Sequence, residues 1–398
     1  MEDGTRVWFT SNTRFNGPVH SNGELSFAYT PTFLDEVSSY STTAWFYNNG
    51  NNKRLSADSN PPYDTPIFAK GFKRGATYIN MPTVTYTQVA ATLGMPNANI
   101  QNDNQMYQTI RSALGLPSGT TPPPNGIYTQ TILNGGGIFV QGDASINFGI
   151  DSQGRAVYTI TQGSTTYVFT IDRANNRTYV NTGTNTITIN AIPNGMIYVN
   201  GNITGISGLI QKDEQLTVTA NGSITITNDI IYQEISDQSY YNTYTSLTQT
   251  LTQQGRYYSS VSYNPNAQNV LGLLARSGNI IINPPQNVGN NIKYTHPFIT
   301  AVLMAPSGVV KVQDYNTRPE AGQVHLLGGI ISNRYGAFGT FSGTSNSTGF
   351  GRDFYYDYRM RSGFSPPYFP TTGRTMLQEG TVNNPKWLNV EKWEEKWE

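Results

Sequence analysis

Short runs in which apolar and polar residues alternate fill most of the chain, and Gly or Asn-Gly separates one run from the next. The runs are rich in Val, Ile, Thr and Tyr, which is typical of strands joined by tight turns. Two short internal segments, Thr83–Leu93 and Asp103–Leu114, are predicted to be helical, and each is followed by Gly and then Pro. A third helix is predicted for the tail, Pro385–Glu398. The pattern predicts a mostly-β protein.

A unit of strand, glycine turn and strand recurs along the chain, for example in "IYVNGNITGIS" and "TVTANGSITIT". The turn glycines of six such units are Gly142, Gly201, Gly222, Gly278, Gly308 and Gly328. Gly201 and Gly222 are 21 residues apart, and Gly308 and Gly328 are 20 apart, whereas the other intervals are longer. A short base period with insertions predicts a parallel β-solenoid (a β-helix) whose insertions leave at the corners. A β-sandwich with irregular hairpins is the alternative.

The solenoid interpretation divides the chain into six regions. They are the first strands of the β scaffold (1–29), an insertion with short helices and a basic loop (30–135), solenoid rungs with a β-hairpin excursion at 151–193 (136–233), a Tyr-rich excursion (234–268), further solenoid rungs (269–348), and an aromatic cap with the C-terminal tail (349–398). The hairpin excursion is predicted to turn at Gly163 and at Asn175-Asn176.

In the cap, arginines and aspartates are expected to pair while aromatic rings seal the open end of the stack; the charged residues are Arg352, Arg359, Arg361, Asp353 and Asp357. In the tail, Trp393 and Trp397 would share one helical face.

Composition narrows the class of protein. The chain has 25 basic and 25 acidic residues, only 13% of its residues are charged, and it has no cysteine. Disulfides, thiolate metal sites and cysteine catalysis are therefore excluded. A surface of neutral polar residues and tyrosine is common outside the cell, and a net charge of zero argues against a protein that coats nucleic acid along its whole length. No apolar run is long enough for a transmembrane helix and no signal peptide is seen, so we interpret Met1 as the boundary of a chain from which an upstream segment was removed.

The candidates for catalysis are few. His20, His296 and His325 all lie in strand or turn contexts without metal-ligand spacing, so structural hydrogen bonding is favoured over catalysis. No calcium loop, nucleophile elbow or phosphate loop is present in the sequence. We therefore predict no catalytic residue, no metal and no cofactor, and hence no enzyme. A polysaccharide-cleaving enzyme is kept as a third hypothesis, because parallel β-helices often cleave polysaccharides with clustered Asp or Glu. Such an enzyme would need a cluster of acids in a groove along the rungs.

Basic residues are concentrated in one segment, which contains "AKGFKRGATY". Its cations are Lys53, Arg54, Lys70, Lys73 and Arg74, and the segment "QGRYYSS" adds Arg256, Tyr257 and Tyr258 as a second candidate surface. Cations interleaved with aromatic rings suit a nucleic acid, because the charges contact phosphates and the rings stack on bases. A solvated loop is an equally open interpretation of the basic segment. Tyrosines with amides also suit a sugar or a protein partner.

Several longer motifs, in order along the chain, carry a family resemblance. They include "VWFTSNTRFNGPVHSNGELSF", "GGGIFVQGDASI", "NVLGLLARSGNIII" and "YYDYRMRSGFSPPYFPTTG". From about Arg6 to Gly373 the chain resembles the PilX-like pilus-assembly proteins, a group of minor type IV pilins. The resemblance implies an exported accessory subunit at or near the pilus tip, and in competence-type members the capture of extracellular DNA. It also implies a pilin-like sheet, other pilin subunits as partners, and a hydrophobic N-terminal helix that anchors the subunit in the membrane and is missing from this sequence.

The expectation from sequence is a non-enzymatic extracellular pilus subunit that binds DNA without sequence preference. The second hypothesis is an adhesin or structural pilus module that binds glycan or protein through its Tyr- and Asn-rich excursions. The family motifs are scaffold motifs, so the resemblance carries over no catalytic residues, and "GPVHSNG" resembles a corner of the first rung rather than an active site.

Overall fold

The computed structural model of the protein describes residues 6–82 and 86–370, together with the backbone of two short strands in the tail. Nine strands precede the first α-helix: β1 Thr13–Asn16, β2 Val19–Ser21, β3 Ser26–Phe27, β4 Thr32–Phe33, β5 Val37–Ser39, β6 Ala44–Phe46, β7 Lys53–Leu55, β8 Ile67–Phe68 and β9 Phe72–Arg74. Seven strands follow: β10 Gly126–Tyr128, β11 Ile138–Gln141, β12 Ala144–Ile150, β13 Ala156–Gln162, β14 Thr165–Asp172, β15 Arg177–Asn181 and β16 Thr186–Ile189.

The second half of the chain is also built of strands. The strands up to the described C-terminal boundary are β17 Met196–Asn200, β18 Ile203–Ile210, β19 Gln215–Ala220, β20 Ile224–Tyr232, β21 Glu234–Ile235, β22 Ser262–Tyr263, β23 Val270–Ala275, β24 Ile280–Ile282, β25 Asn287–Val288, β26 Ile292–Lys293, β27 Phe298–Val312, β28 Gln323–Tyr335, β29 Gly339–Ser342, β30 Ser345–Gly349 and β31 Gly351–Tyr356. The tail strands are β32 Leu377–Glu379 and β33 Lys386–Leu388. The mostly-β prediction is confirmed, and one mixed sheet contains 19 of the strands.

The helices are short. They are α1 Thr87–Thr92, α2 Asp103–Ala113, α3 Gln130–Leu133, α4 Gln238–Ser246 and α5 Thr248–Gln253, with 3₁₀ turns at Asn48–Gly50 and Tyr358–Ser362. The two predicted internal helices are confirmed as α1 and α2, and the side chain of Asn102 caps α2 by accepting a hydrogen bond from the Gln105 amide. Helices α4 and α5 in the Tyr-rich excursion were not predicted. The predicted tail helix lies outside the described residues except for Lys386–Leu388, which form a strand.

Most neighbours in the large sheet are parallel. One succession of adjacent, mutually parallel strands runs β11, β17, β19, β23, β27, β28, β31, β1, β4 and β8. A second runs β12, β18, β20, β24 and β27, and a third, in a separate sheet, runs β2, β5 and β9. Beside β11 and β12 the pairing becomes antiparallel: β10 pairs with β11, and β13 pairs with β12. The hairpin excursion is confirmed as the antiparallel run β13 to β16, with turns where they were predicted.

Two parts of the predicted organisation need correction. Residues 32–74 were assigned to an insertion, but β4, β5, β8 and β9 continue the parallel successions. Residues 349–356 were assigned to a terminal cap, but β31 lies inside the sheet between β28 and β1. In the large sheet, the N-terminal strands β1, β4 and β8 therefore follow β31, a strand from the C-terminal part of the chain. The reason is packing: Phe15 of β1 stands opposite Phe354 of β31 and stacks on Phe33 of β4 at 5.4 Å between ring centroids.

The same register position is repeated from strand to strand in the core. Ile138, Ile197, Val218, Leu273 and Leu303 stand opposite one another on five successive strands, and all are buried. Because each strand covers the apolar side chains of its neighbour, burial of this column stabilises the whole succession rather than any single pair.

Five of the six predicted turn glycines also follow one another across neighbouring strands. A Cβ added to Gly201, Gly278 or Gly308 would lie within 3 Å of the backbone of the preceding glycine in the series, and the amide of Gly222 donates to the carbonyl of Gly201 at 2.9 Å. Gly308 differs slightly, since it lies at an interruption of the pairing within β27. Gly328 does not mark a turn, because it lies inside β28 opposite Ala301.

Candidate nucleic-acid interface

The N-terminal strands carry a row of outward side chains. His20 of β2, Ser38 of β5 and Lys73 of β9 occupy the same register position on three adjacent parallel strands. The Nδ1 atom of His20 lies 2.9 Å from Ser38 Oγ, and its Nε2 lies 3.1 Å from Asn22 Oδ1. The prediction that His20 is hydrogen-bonded beside a turn is therefore confirmed.

Two exposed tyrosines lie beside this row. Tyr40 follows β5 and is 54% exposed, Tyr78 follows β9 and is 53% exposed, and their rings meet edge to face at 5.5 Å. Asn22 holds the second tyrosine's segment in place, because its side chain donates to the carbonyl of Ile79 and accepts from the amide of Ile79. We call His20, Ser38, Tyr40, Lys73 and Tyr78 the Tyr40 surface.

Most cations of the basic segment have carboxylate partners. Arg54 contacts Glu24 at 2.5 Å, Lys70 contacts Asp35 at 2.8 Å, and Arg74 contacts Asp58 at 2.5 Å; these three ion pairs neutralise three of the five predicted phosphate ligands. In residues 6–82 and 86–370, neither Lys53 nor Lys73 forms an ion pair, so these two lysines carry the unpaired positive charge of the segment.

The Lys70 ion pair has a structural purpose. The Asp35 carboxylate also accepts hydrogen bonds from the Tyr358 hydroxyl and from Arg361, both at 2.9 Å. The hydrogen bond from Lys70, with smaller contributions from the Glu36 amide and Tyr358, lowers the pKa of Asp35 to about 2 although burial acts in the opposite direction. Tyr358 and Arg361 thus tie the turn after β31 to the N-terminal strands, where Lys70 holds the same carboxylate. Arg361 pairs with Asp35 rather than with Asp353 or Asp357 of the predicted cap.

The second candidate surface is corrected at Arg256. This side chain is only 4% exposed, and its guanidinium donates two 2.8 Å hydrogen bonds to Asp229. It also donates to the backbone carbonyls of Thr295 and His296 and to Gln254 Oε1, so all five N–H groups are used and none remains for a phosphate. Tyr257 is exposed, whereas Tyr258 is half-buried and burial raises its pKa to about 12. Only Tyr257 remains available as an exposed contact.

One of the ion pairs expected in the predicted cap is confirmed, whereas other charged residues there have different partners. Arg359 pairs with Asp357 at 2.6 Å, as predicted, and also donates to the carbonyls of Ala267 and Asn269. Asp353 instead pairs with Arg14 at 3.1 Å and with His325 at 2.9 Å. Arg352 is buried among aromatic rings without a carboxylate within 4.0 Å in the described part of the chain.

The sequence did not predict a contact between half-buried His296 and buried His325. Nδ1 of His296 lies 3.0 Å from Nε2 of His325, whose Nδ1 in turn lies 2.9 Å from Asp353. The signal was weak because these residues are 29 and 28 positions apart, and only the register of β28 against β31 places His325 opposite Asp353. Burial, followed by electrostatic interaction with His325 and Arg256, lowers the pKa of His296 to about 4.

Stability is expected to fall as the pH drops from about 6.5 to about 4. The unfolded chain protonates His296 near its ordinary pKa, whereas the folded chain resists protonation until about pH 4, so the unfolded state binds more protons in this window. Allowing for the partial exposure of the ring, the loss should be about 2 kcal/mol. Urea unfolding of the wild type and of His296→Asn across this range measures it; Asn tolerates the left-handed backbone at this position, where φ is 53°. An equal pH slope in the two proteins would contradict the assignment.

Comparison with known proteins gives one match. Residues 1–42 match a family described as DUF4900, a domain of unknown function. The matched range contains strands β1 to β5. It also contains three residues of the Tyr40 surface, namely His20, Ser38 and Tyr40. No curated protein and no solved structure matches the chain. Of the helices in the described ranges, none is long and apolar enough to cross a membrane.

Proposed function

We propose that this chain is a non-enzymatic extracellular subunit of a type IV pilus that binds DNA for uptake, and that its Tyr40 surface is the contact. The observation that carries the proposal is the exposed tyrosine pair, Tyr40 and Tyr78, held beside Lys73, a lysine without an ion pair in the described ranges. Each base has a face that can stack on tyrosine, so the contact would be independent of sequence. Accessible base faces favour single-stranded DNA over duplex.

We further propose that the scaffold is a parallel β-solenoid. Three parallel successions, a column of aliphatic residues and a column of glycines all repeat the same register positions from one strand to the next. In such a scaffold, side chains next to corners face outward without disturbing the core. The partners expected from the family resemblance, other pilin subunits of the fibre, fit a scaffold whose binding surface lies on β2, β5 and β9, the strands of the third parallel succession.

The electrostatic share of DNA binding should be small. The basic segment has two unpaired lysines. For each lysine that contacts a phosphate, the logarithm of the affinity for single-stranded DNA should fall by roughly 0.7 for every tenfold rise in salt concentration. Stacking on a tyrosine is worth about 1–3 kcal/mol per base, so the rings should contribute more than the charges.

Substitution of Tyr78 by alanine should weaken binding of oligo(dT) about tenfold, because one stacking partner is lost. Lys73→Ala should weaken binding less and reduce the salt slope by roughly 0.7. Fluorescence anisotropy with a labelled oligonucleotide across a salt series measures both effects. Lys212→Ala, which removes another exposed lysine, serves as the matched control. Unchanged affinity in Tyr40→Ala and Tyr78→Ala would reject the Tyr40 surface as the DNA contact.

A glycan-binding adhesin is the second candidate, and the ion pairs of the basic segment favour it. Three of the five cations are already neutralised by Glu24, Asp35 and Asp58, whereas the exposed tyrosine rings remain free to stack on a sugar. Binding of a neutral oligosaccharide that is lost in Tyr78→Ala and insensitive to salt would support this candidate over DNA.

A further inference from the structure

A second site lies between the N-terminal segment and the hairpin formed by β29 and β30. It is a cavity of about 260 Å³ with aromatic walls that include Trp8, Tyr315, Phe341 and Phe350. Asn316, Thr340 and Asn346 add neutral polar residues to the lining, and no acidic residue lines the cavity among the described residues. The cavity shares no residue with the Tyr40 surface.

Arg352 lines this cavity and is an unusual buried arginine. It is 5% exposed, and its Nε has no hydrogen-bond partner. Its Nη1 makes only long hydrogen bonds, of 3.5 Å to the Trp8 carbonyl and 3.3 Å to Thr13 Oγ1. The rings of Phe9, Tyr335 and Phe338 surround the guanidinium at 4.9 to 5.8 Å, which offsets part of the cost of burying its charge but supplies no anion.

The other buried arginines differ from Arg352. Arg256 is paired with Asp229, and Arg318 donates to the Pro284 carbonyl at 2.8 Å and to Asn283 Oδ1 at 2.6 Å. Burying a cation is costly unless it is paired with an anion or well hydrogen-bonded. Arg318 meets the second condition through neutral acceptors, whereas Arg352 has an unpartnered Nε and only long hydrogen bonds. A buried arginine that lacks hydrogen-bond acceptors beside a cavity therefore points to an anionic ligand.

A second cation faces the same cavity. The guanidinium of Arg6 lies over the ring of Trp45 at 3.6 Å and also contacts Trp8. Burial lowers the pKa of Arg6, an effect that Glu24 partly offsets. Glu24 is itself engaged by Thr43, Trp45 and Arg54, and it does not line the cavity.

We propose that this cavity binds a small organic anion, a carboxylate or a phosphate ester on a flat aromatic body. The guanidinium groups of Arg352 and Arg6 would receive the anion, since a planar guanidinium matches both carboxylate and phosphate oxygens. The aromatic walls would stack on the body of the ligand, and the neutral amides and hydroxyl would fix its orientation. This site is independent of DNA binding, so either proposal can fail without the other.

Isothermal titration with benzoate, phenyl phosphate and benzyl alcohol tests the proposal. The two anions should bind and the neutral alcohol, which has the same aromatic body, should bind at least tenfold more weakly. The stronger of the two anions identifies the headgroup class. Arg352→Met and Arg6→Gln should each weaken anion binding at least tenfold, whereas Arg177→Gln, on the hairpin strand β15, should not. Equal binding of benzyl alcohol and benzoate, or unchanged binding in Arg6→Gln, would overturn the proposal.

Thermal unfolding separates a binding arginine from a structural one. In Arg352→Met the melting temperature without ligand should stay unchanged or rise, because an unpaired buried charge is removed and an apolar side chain of similar length replaces it. A fall of many degrees would assign Arg352 to the scaffold and overturn its role in binding. Anion binding that appears only after Glu2→Gln and Asp3→Asn substitution would identify the chain's own N-terminus as the occupant, and would also overturn the proposal.

Discussion

Replacement of Arg256 by alanine is expected to lower the free energy of unfolding by about 4 kcal/mol, because it leaves Asp229 as a buried charge without its partner. Arg256 and Asp229 are 4% and 1% exposed. The carboxylate would keep hydrogen bonds from the Tyr294 hydroxyl and the Phe298 amide, which limit the loss but do not neutralise the charge. The carbonyls of Thr295 and His296 would also lose their donor.

Equilibrium unfolding in urea measures this loss, and Arg54→Ala is the matched control. Arg54 also forms an ion pair, but its side chain is 57% exposed, so its removal should cost less than about 1 kcal/mol. The double variant Arg256→Met with Asp229→Leu should recover much of the stability, because it removes both charges together. A cost below 1 kcal/mol for Arg256→Ala would mean that this guanidinium is solvated, and would restore it as a candidate DNA contact.

Local features of the fold could be predicted from sequence. Alternation and Gly-rich turns indicated the β class, the Gly and Pro that follow Leu114 indicated the end of α2, and Gly163 indicated a hairpin turn. These signals act within a few residues, where backbone geometry and side-chain spacing decide the structure. The placement of β31 could not be predicted, because its contact with β1 joins residues that are 339 positions apart, such as Arg14 and Asp353.

The candidate site shows the same limit. Clustering of cations was visible in the sequence, but their carboxylate partners were not, since Glu24 and Asp35 lie 30 and 35 positions from Arg54 and Lys70. Tyr40 and Tyr78 also come together only through the parallel pairing of β5 with β9. The register between parallel strands therefore decides which charges are neutralised and which rings stay exposed. That register depends on residues far apart in the sequence, so it cannot be predicted from any short stretch of the chain.

Substitution of Gly308 by alanine is expected to destabilise the protein by about 2–3 kcal/mol, because the new Cβ would lie 2.2 Å from the carbonyl oxygen of Gly278, in the turn between β23 and β24. Backbone atoms cannot rotate away as a side chain can, so β24 and β27 would have to separate where Ile280 faces Val310. Gly149→Ala is the control, since nothing lies within 4 Å of its added Cβ and the change should be neutral or slightly stabilising. Urea unfolding compares the two variants, and equal stability would contradict the glycine column as a site of close approach between successive strands.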